Sequence, residues 1–223
     1  MDIYQESLAK HLEHQGKITT QLKFPLKDKH DLSWTYTPGV AEVSRYLALH
    51  PEETGQYTFK GNSVAVISDG SAVLGLGNIG PYGAYPVMEG KALLFKHFAN
   101  IDSIPIVLNT QDPDEIIKAV EMIAPSFGGI NLEDIAAPKC FYIEETLKKR
   151  LDIPVVHDDQ WGTAVVVLAG LFNALKVVNK QKEKVKIVIS GAGAAGTAIM
   201  RILLKAGFVN FMMVDSKGII AKS

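Results

Sequence analysis

The sequence predicts an α/β protein: an N-terminal, mostly parallel α/β domain followed by the first, incomplete half of a Rossmann dinucleotide-binding domain. Two observations lead to this prediction. From residue 63 onward, short apolar runs typical of strands alternate with segments of helical periodicity, and parallel strands need such crossover helices. Near the C-terminus, an apolar run leads into the glycine-rich turn 191–196 and a further helix. We place an approximate domain boundary near residue 155, which gives domains at residues 1–155 and 156–223.

The N-terminal region has the weakest periodicity. Residues 2–14 predict a helix, and residues 40–49 predict a second one that ends before Pro51. Between them, residues 16–39 carry prolines and scattered charges, which favour an extended arm or long loop. Because residues 1–35 offer few apolar anchors of their own, we expect this arm to pack on a partner subunit.

The remaining elements follow in order along the chain. Apolar runs predict strands over residues 63–67, 73–76, 104–108, 129–132, 154–156, 185–190 and 211–214. Helical spacing predicts helices over residues 87–99, 112–123, 138–150, 163–178 and 194–206. In the first of these helices we expect Leu93, Leu94 and Phe98 to face inward. The glycine-rich segment 75–83 predicts a loop.

The composition and charge of the chain argue against nucleic acids and membranes as binding partners. The chain has 223 residues and a formal net charge of -1, which argues against nucleic-acid binding. Its N-terminus is polar rather than a secretory signal, and no uninterrupted apolar run is long enough to span a bilayer. With Cys140 as the single cysteine, no intrachain disulfide can form. We therefore expect a cytoplasmic protein without a membrane partner.

A dinucleotide fingerprint stands out between the strand at 185–190 and the helix at 194–206. Gly191 permits the tight turn, Gly193 lets the backbone approach a pyrophosphate, and Gly196 allows the helix to lie close to the strand. Ala194 and Ala195 complete the turn and begin the helix, whose free N–H groups attract phosphate. The complete strand–turn–helix–strand context favours dinucleotide binding over an unrelated glycine-rich turn.

The type of dinucleotide is indicated by Asp215. This carboxylate lies about 20 residues beyond the glycines, where it can accept a hydrogen bond from a ribose 2′-hydroxyl. A carboxylate repels a 2′-phosphate, so the sequence favours NAD over NADP. Lys217 is close enough along the chain to weaken this preference.

Two acidic segments follow predicted strands. Glu133 and Asp134 come after the strand at 129–132, and Asp158 and Asp159 come after the strand at 154–156. The carboxyl ends of parallel strands meet at one sheet edge, so these carboxylates can form a site for Mg²⁺ or Mn²⁺. The alternative is an ordinary solvated loop, with one of the aspartates capping the helix that begins near Gly162.

Several segments together resemble the short bacterial malic enzymes. They are YTPGV (36–40), SDGSAVLGLGNIG (68–80), PVMEGKALLFK (86–96), FGGINLEDIAAPKCF (127–141), HDDQWGTA (157–164) and the GAGAAG turn. The matches occur in the family's order from residue 36 onward. The resemblance implies a protein, usually a dimer or larger, that oxidises and decarboxylates malate to pyruvate with NAD(P) and a divalent metal.

The resemblance also implies roles for single residues. It makes Lys91 the general base and Tyr36 the acid that helps to protonate the enol. Glu133, Asp134 and Asp159 become the metal ligands, and Asp158 lies near the lysine and tunes it. Burial beside the metal is then expected to lower the pKa of Lys91. Taken alone, Lys91 would be a solvent-facing lysine on a helix, and Tyr36 would pack the arm against the body of the protein.

Two departures from the family pattern stand out. Trp161 occupies a position where the bacterial pattern has histidine, so the surroundings of the metal loop and the fit of the cofactor can differ. The chain also ends soon after the second strand of the nucleotide fold. We therefore expect a fragment, or part of a longer chain, that binds metal and dinucleotide weakly and turns over poorly by itself. Tight NAD binding in calorimetry would contradict this expectation.

Two other functions remain open at this point. One is a related enzyme that keeps NAD bound and converts malate to lactate, which product analysis would reveal. The other is a non-catalytic module for dinucleotide binding or assembly. Such a module would not depend on Glu133, Asp134 or Asp159, so Asp159→Asn would leave its properties unchanged.

Overall fold

A computed structural model describes residues 2–220 and confirms the predicted α/β class. The N-terminal region forms four helices, α1 (Ile3–His14), α2 (Lys29–Thr35), α3 (Val40–Leu49) and α4 (Thr54–Tyr57). The prediction of an arm without regular structure over 16–39 was wrong at α2. This helix begins because the Asp28 side chain accepts hydrogen bonds from the backbone N–H groups of His30 and Asp31.

A four-stranded parallel sheet forms the first body of the protein. Its strands are β1 (Ser63–Ser68), β2 (Asp102–Val107), β3 (Gly129–Leu132) and β4 (Val155–His157), in the order β2-β1-β3-β4. Leu132 pairs with Ile67 on one side and with His157 on the other. Because of this register, the segments that follow β1, β3 and β4 leave the sheet at one edge. The strand predicted over 73–76 is absent from the described residues, where Val73 makes only an isolated bridge to Gly77.

Three helices accompany this sheet: α5 (Gly80–Ala99), α6 (Pro113–Ile123) and α7 (Lys139–Arg150). The main core contains the apolar faces of α6 and α7 and the inner residues of β1 and β3, among them Ile67, Ile116, Val120, Leu132, Ile143 and Leu147. α6 is preceded by its N-cap residue Asp112, whose side chain accepts hydrogen bonds from the N–H groups of Asp114 and Glu115.

α5 differs from its prediction in two respects. It begins at Gly80, so the expected loop over 75–83 ends earlier, and Pro86 lies within the helix. Its buried face consists of Ala84, Met88 and Ala92, which recur every four residues. The residues expected to face inward are exposed instead, at 41% for Leu93, 46% for Leu94 and 79% for Phe98. Each step along a helix turns by about 100°, so burial of the face with Ala84, Met88 and Ala92 directs the leucines outward.

The second body contains α8 (Asp158–Val177), β5 (Ile187–Ser190), α9 (Ala194–Lys205), β6 (Phe211–Asp215) and β7 (Gly218–Ile219). β5 and β6 are parallel and β7 runs antiparallel to β6. Their core surrounds Phe208 and includes Leu175, Ile189, Leu203 and Met213. α8 begins before the expected residue 163, so Asp158 and Asp159 form its first turn. Negative side chains are favourable there because the helix dipole is positive at its N-terminus.

α8 is also notable for its apolar composition. Among the described residues, it is the one helix long and apolar enough to cross a membrane, judged by length and composition only. Leu168, Leu171 and Leu175 of this helix pack into the core around Phe208. Part of the apolar surface of α8 therefore packs against β5, α9 and β6.

Candidate active site

Three carboxylates converge at the carboxyl edge of the first sheet. Glu133 and Asp134 directly follow β3, and Asp159 lies in the first turn of α8, after the neighbouring strand β4. One ligand atom from each of the three lies within 4.8 Å of the others. Glu133 and Asp134 are buried and Asp159 is half-buried. The structure therefore brings together the three residues that the sequence predicted as metal ligands.

Hydrogen bonds hold this group of carboxylates in place. The Asp134 backbone N–H donates to Asp159 Oδ2 at 2.9 Å, and Asn131 Nδ2 donates to Glu133 Oε2 at 2.9 Å. Asp134 has a φ of 55°, in the left-handed region that aspartate adopts more readily than most residues.

A hard divalent cation fits this group. Asp134 Oδ2 is buried and has no hydrogen-bond partner among the described residues, and a buried carboxylate oxygen normally has one. The three side chains supply only oxygen atoms, which are the ligands that Mg²⁺ and Mn²⁺ prefer. A cation would also offset the repulsion between carboxylates held this close.

The pKa values reflect the crowding of acids. Burial raises the pKa of Glu133 to about 7, against the lowering effects of the Lys91 charge and the Asn131 hydrogen bond. Burial and the nearby Asp159 charge raise the pKa of Asp134 to about 6. Both carboxyl groups therefore keep their protons to a higher pH than ordinary carboxylic acids do, and Glu133 to a higher pH than Asp134.

Lys91 of α5 points into the same group. Its Nζ donates a hydrogen bond to Asp158 Oδ2 and lies 3.2 Å from Glu133 Oε1. Its side chain is 22% exposed, so it is not the solvent-facing lysine of the alternative interpretation. Burial lowers the pKa of Lys91, but Asp158 and Glu133 together raise it further, so the net pKa lies above the ordinary value. The protein groups alone thus keep this amine protonated, and the expected decrease, which depends on the charge of a bound metal, stays a prediction.

Tyr36 lies apart from these contacts. It follows α2 directly and is 67% exposed. Among the described residues, no side-chain hydrogen bond or ion pair joins Tyr36 to Lys91 or to the carboxylates. The geometry within one chain therefore groups Lys91, Asp158 and the three candidate ligands, and it leaves Tyr36 on an open surface.

The glycine-rich turn has the geometry expected of a phosphate site. Gly191 has a φ of 107°, which glycine adopts without strain. A Cβ at Gly196 would overlap the Gly191 carbonyl oxygen, whereas a Cβ at Gly193 would meet no heavy atom within 4 Å. Ala194 and Ala195 begin α9, and within residues 2–220 no side chain caps its N-terminus. Free N–H groups of the first turn are therefore available to an anion.

Asp215 lies at the end of β6, beside this turn. Its side chain is exposed, and Oδ1 accepts a hydrogen bond of 2.8 Å from the backbone N–H of Lys217. That bond fixes the carboxylate at the strand end. This is the position from which such a carboxylate reaches a ribose in the Rossmann fold.

Glu144 was not among the functional residues predicted from the sequence. This residue of α7 is 3% exposed, and its carboxylate contacts the segment that carries Asp158 and Asp159. A signal was present, because Glu144 lies on the helix face that also contains Cys140, Ile143 and Leu147. An acidic residue within an apolar stripe is uncommon without a partner.

Trp161 lies where α7, α8 and α9 meet. Its ring is 5.2 Å from Lys148 Nζ and 6.0 Å from Lys205 Nζ. Its Nε1 is buried without a hydrogen-bond partner among the described residues. The indole therefore connects α8 to α9 by packing and cation–π contact, and it does not touch the carboxylate group through a hydrogen bond.

Comparison with known proteins gives consistent results over nearly the whole chain. The family model described as the malic enzyme N-terminal domain matches residues 15–148, and the one described as the malic enzyme NAD binding domain matches residues 161–223. An NAD-dependent malic enzyme from Geobacillus stearothermophilus is 60% identical over 205 residues, which cover 92% of this chain and 43% of the relative.

Two further comparisons agree. A bifunctional malic/malolactic enzyme from Bacillus subtilis (strain 168) is 53% identical over 220 residues, covering 99% of this chain and 54% of the relative. The crystal structure of an NAD-dependent malic enzyme from Thermotoga maritima matches with a TM-score of 0.95 at 55% identity, covering 100% of this chain and 58% of that chain. The chain thus spans about half the length of the curated relatives it matches.

Proposed function

This chain belongs to the malic enzyme family, and on that premise we propose that it supplies the catalytic base and metal ligands of an enzyme that converts malate to pyruvate and carbon dioxide. The observation that carries the proposal is the convergence of Lys91 on Glu133 and Asp158, beside three carboxylates whose ligand atoms lie within 4.8 Å of one another. This arrangement combines a base with a cation site, as the oxidation of a 2-hydroxy acid requires.

The cation site consists of Glu133, Asp134 and Asp159, with Mg²⁺ or Mn²⁺ as the ion. When bound, the ion supplies a Lewis acid for oxygens of the substrate that become more negative during the reaction. The chain's own contribution is to hold three oxygen ligands at one sheet edge before the ion arrives. The Asp134 N–H bond to Asp159 fixes the two acidic segments relative to each other.

Lys91 acts on the C2 hydroxyl of malate. It accepts the hydroxyl proton, and a nicotinamide, when bound, would supply the acceptor for the hydride that C2 must lose to give oxaloacetate. To act as a base it must first lose the proton that Asp158 and Glu133 stabilise. If Glu133 held a cation, its negative charge would stabilise the ammonium less, and the neutral amine of Lys91 would be favoured. Asp158 then serves as the partner that orients Lys91 and receives its hydrogen bond.

Tyr36 completes the reaction in a second copy of the chain. Loss of carbon dioxide leaves an enolate, which must gain one proton at C3 to become pyruvate, and a phenol can supply that proton. The 67% exposure of Tyr36 supports delivery to the site of a partner subunit in a homodimer or larger assembly. The exposed helices α1 and α2 that precede it offer a surface for such an interface.

The dinucleotide is NAD rather than NADP in this proposal. Asp215 carries a negative charge at the strand end beside the glycine-rich turn, which opposes a 2′-phosphate and matches a 2′-hydroxyl. Gly193 leaves the backbone open to the pyrophosphate, and the first turn of α9 offers N–H groups to it.

The test is a spectrophotometric assay with malate, NAD and Mn²⁺, with and without a chelator, and with NADP in parallel. It is made on this chain and on a form extended to the length of its relatives. Chelator-sensitive reduction of NAD with formation of pyruvate supports the proposal. Absence of both products from the extended form would overturn it. Mixing two inactive variants, Tyr36→Phe and Lys91→Ala, tests the shared site, because a mixed dimer restores one intact site only if the two residues come from different subunits.

A second candidate function follows from the similarity to a bifunctional malic/malolactic enzyme. In that case the hydride returns to the keto acid before release, so the product is lactate and no net reduction of NAD is seen. Chromatography of the products distinguishes the two outcomes. A non-catalytic dinucleotide-binding module is the remaining candidate, and it predicts no product and no effect of Asp159→Asn.

A further inference from the structure

We propose that Glu144 is a positioning residue for Asp159: its buried carboxylate fixes the turn between β4 and α8 so that the Asp159 carboxylate faces Glu133 and Asp134. This inference rests on the proposed metal site. Glu144 lies on α7, outside the group of carboxylates, and its part is to set the geometry in which that group is presented.

Glu144 forms hydrogen bonds with residues on both sides of Asp159 in the sequence. Its Oε1 accepts a hydrogen bond of 3.0 Å from the His157 backbone N–H, and its Oε2 accepts one of 3.1 Å from Gln160 Nε2. His157 is the last residue of β4, and Gln160 directly follows Asp159. One carboxylate therefore holds both ends of a four-residue segment whose middle residues are Asp158 and Asp159.

The energetics of burial support a specific task for this carboxylate. A carboxylate that is 3% exposed loses most of its hydration, which is favourable only if strong hydrogen bonds replace the water. Glu144 obtains three donors, since Lys148 Nζ also lies 2.7 Å from Oε1. Two of the three donors belong to the β4–α8 turn, so the stabilisation of the charge depends on one conformation of that turn.

The effect on Asp159 is geometric. The Asp159 carboxylate accepts a hydrogen bond from the Asp134 N–H on one side, and its backbone is held by Glu144 through the neighbouring residues on the other. Gln160 is 1% exposed, so its side chain has little freedom to compensate for the loss of its partner. Groups that orient metal ligands in this way typically change metal affinity about 10- to 100-fold when they are replaced.

The variant Glu144→Gln tests the proposal with little change in shape. The new amide has one acceptor oxygen in place of two and carries no charge, so the His157 N–H and the Gln160 NH₂ cannot both keep their present acceptor and the bond that remains is weaker. We expect the dissociation constant for Mn²⁺, measured from the electron paramagnetic resonance signal of free Mn²⁺, to rise about 10- to 100-fold. A role in stability alone would lower the unfolding temperature and leave the Mn²⁺ dissociation constant of the folded protein unchanged.

A matched control is available on the same helix. Glu145→Gln makes the same chemical change at a side chain that is 57% exposed and lies 3.7 Å from Arg201. It should alter Mn²⁺ binding by less than about 2-fold, because a surface ion pair contributes little. Asp159→Asn serves as the reference for direct loss of a ligand.

The outcomes separate this inference from the proposed function. If Asp159→Asn abolishes Mn²⁺ binding and Glu144→Gln leaves it at the wild-type value, the positioning role is overturned and the metal site stands. If the wild-type protein binds no Mn²⁺, the metal site fails and the positioning role fails with it. Should Glu144→Gln not fold, as judged by circular dichroism, Gln160→Met tests the same link from the other side. Unchanged Mn²⁺ affinity in that variant would overturn the inference.

Discussion

The backbone N–H of Asp134 donates a 2.9 Å hydrogen bond to Oδ2 of Asp159, and this bond joins two acidic segments that lie 25 positions apart in the sequence. It links the loop after β3 to the first turn of α8. Since β3 and β4 are neighbours in the sheet, the two segments leave adjacent strands and meet at once. The proposed metal site is therefore a direct consequence of strand order, and its properties can be tested one residue at a time.

Replacement of Asp159 by asparagine should remove most of the divalent-metal affinity. The amide keeps the size of the side chain but loses the negative charge, and its NH₂ group can turn toward the Asp134 N–H. We expect the Mn²⁺ dissociation constant to rise by more than about 100-fold, since loss of a ligand should exceed the effect of an outer-shell partner. Isothermal calorimetry with Mn²⁺ measures this change. The control is Asp152→Asn on the exposed loop before β4, and equal effects of both substitutions would argue against the assignment.

Metal binding should release protons at mildly acidic pH. Burial raises the pKa of Glu133 to about 7 and that of Asp134 to about 6, so near pH 6.5 the two groups together carry about one proton before the ion binds. At about pH 8.5 both are ionised and no release is expected, so Mn²⁺ affinity should rise with pH across this window. Calorimetry in buffers with different ionisation enthalpies counts the protons. Release that does not depend on pH would contradict the assignment of these ligands.

Two glycines of the nucleotide turn should respond differently to alanine. At Gly196 a Cβ would overlap the Gly191 carbonyl oxygen, so Gly196→Ala should lower the free energy of unfolding by about 1–3 kcal/mol and also weaken NAD binding. At Gly193 a Cβ meets no atom of the described part of the chain within 4 Å, so Gly193→Ala should leave stability almost unchanged. It should still weaken NAD binding about 10-fold or more, because the methyl group keeps the pyrophosphate away from the backbone. Urea unfolding and calorimetric NAD titration separate the two effects, and a Gly193→Ala protein that binds NAD normally would contradict the proposed phosphate position.

The sheet and the nucleotide turn could be predicted because their signals are local. Apolar runs of strand length and the glycine spacing at 191–196 lie within single segments of the sequence. Local signals of this kind did not predict where α8 begins. Asp158 and Asp159 resemble a cap or loop, and Gly162 lowers the apparent helical tendency. A Cβ at Gly162 would overlap Asp158 Oδ1, so glycine leaves room for the carboxylate that accepts the hydrogen bond from Lys91.

At the site, the pattern of the sequence does not predict which distant segments come into contact. The resemblance to a family placed Lys91 near Asp158, 67 positions away, but no periodicity indicates such a pair. The inward face of α5 was misassigned because Leu93 and Leu94 are more apolar than Ala84 and Ala92, whereas the structure buries the face that carries the two alanines and Met88. Packing against the sheet therefore determines which face of α5 is buried, and the local sequence does not contain the shape of that contact.

Removal of the charge at Asp215 should shift the dinucleotide preference. Asp215→Ser keeps an oxygen that can accept the Lys217 N–H bond and eliminates the repulsion of a 2′-phosphate. We expect the ratio of the NADP to the NAD dissociation constant to fall about 10-fold or more, a change of about 1.4 kcal/mol. Fluorescence titration with the reduced dinucleotides measures this ratio. Lys217→Met provides the opposite test and should raise the ratio, and an unchanged ratio in both variants would place the ribose elsewhere.

Trp161 should contribute through its ring and not through its indole N–H. Trp161→Ala removes the surface under Lys148 and Lys205 and leaves a cavity where α7, α8 and α9 meet. Because the side chain is only partly buried, the expected loss of unfolding free energy is about 2 kcal/mol, below the range for fully buried aromatic residues. Trp161→Phe keeps an aromatic face for the two ammonium groups and removes a buried donor that has no partner among the described residues, so its stability should stay within about 0.5 kcal/mol of wild type. Urea unfolding followed by circular dichroism measures both variants. If phenylalanine destabilises the protein as much as alanine does, the indole N–H must make a stabilising hydrogen bond, and the assigned role of the ring is wrong.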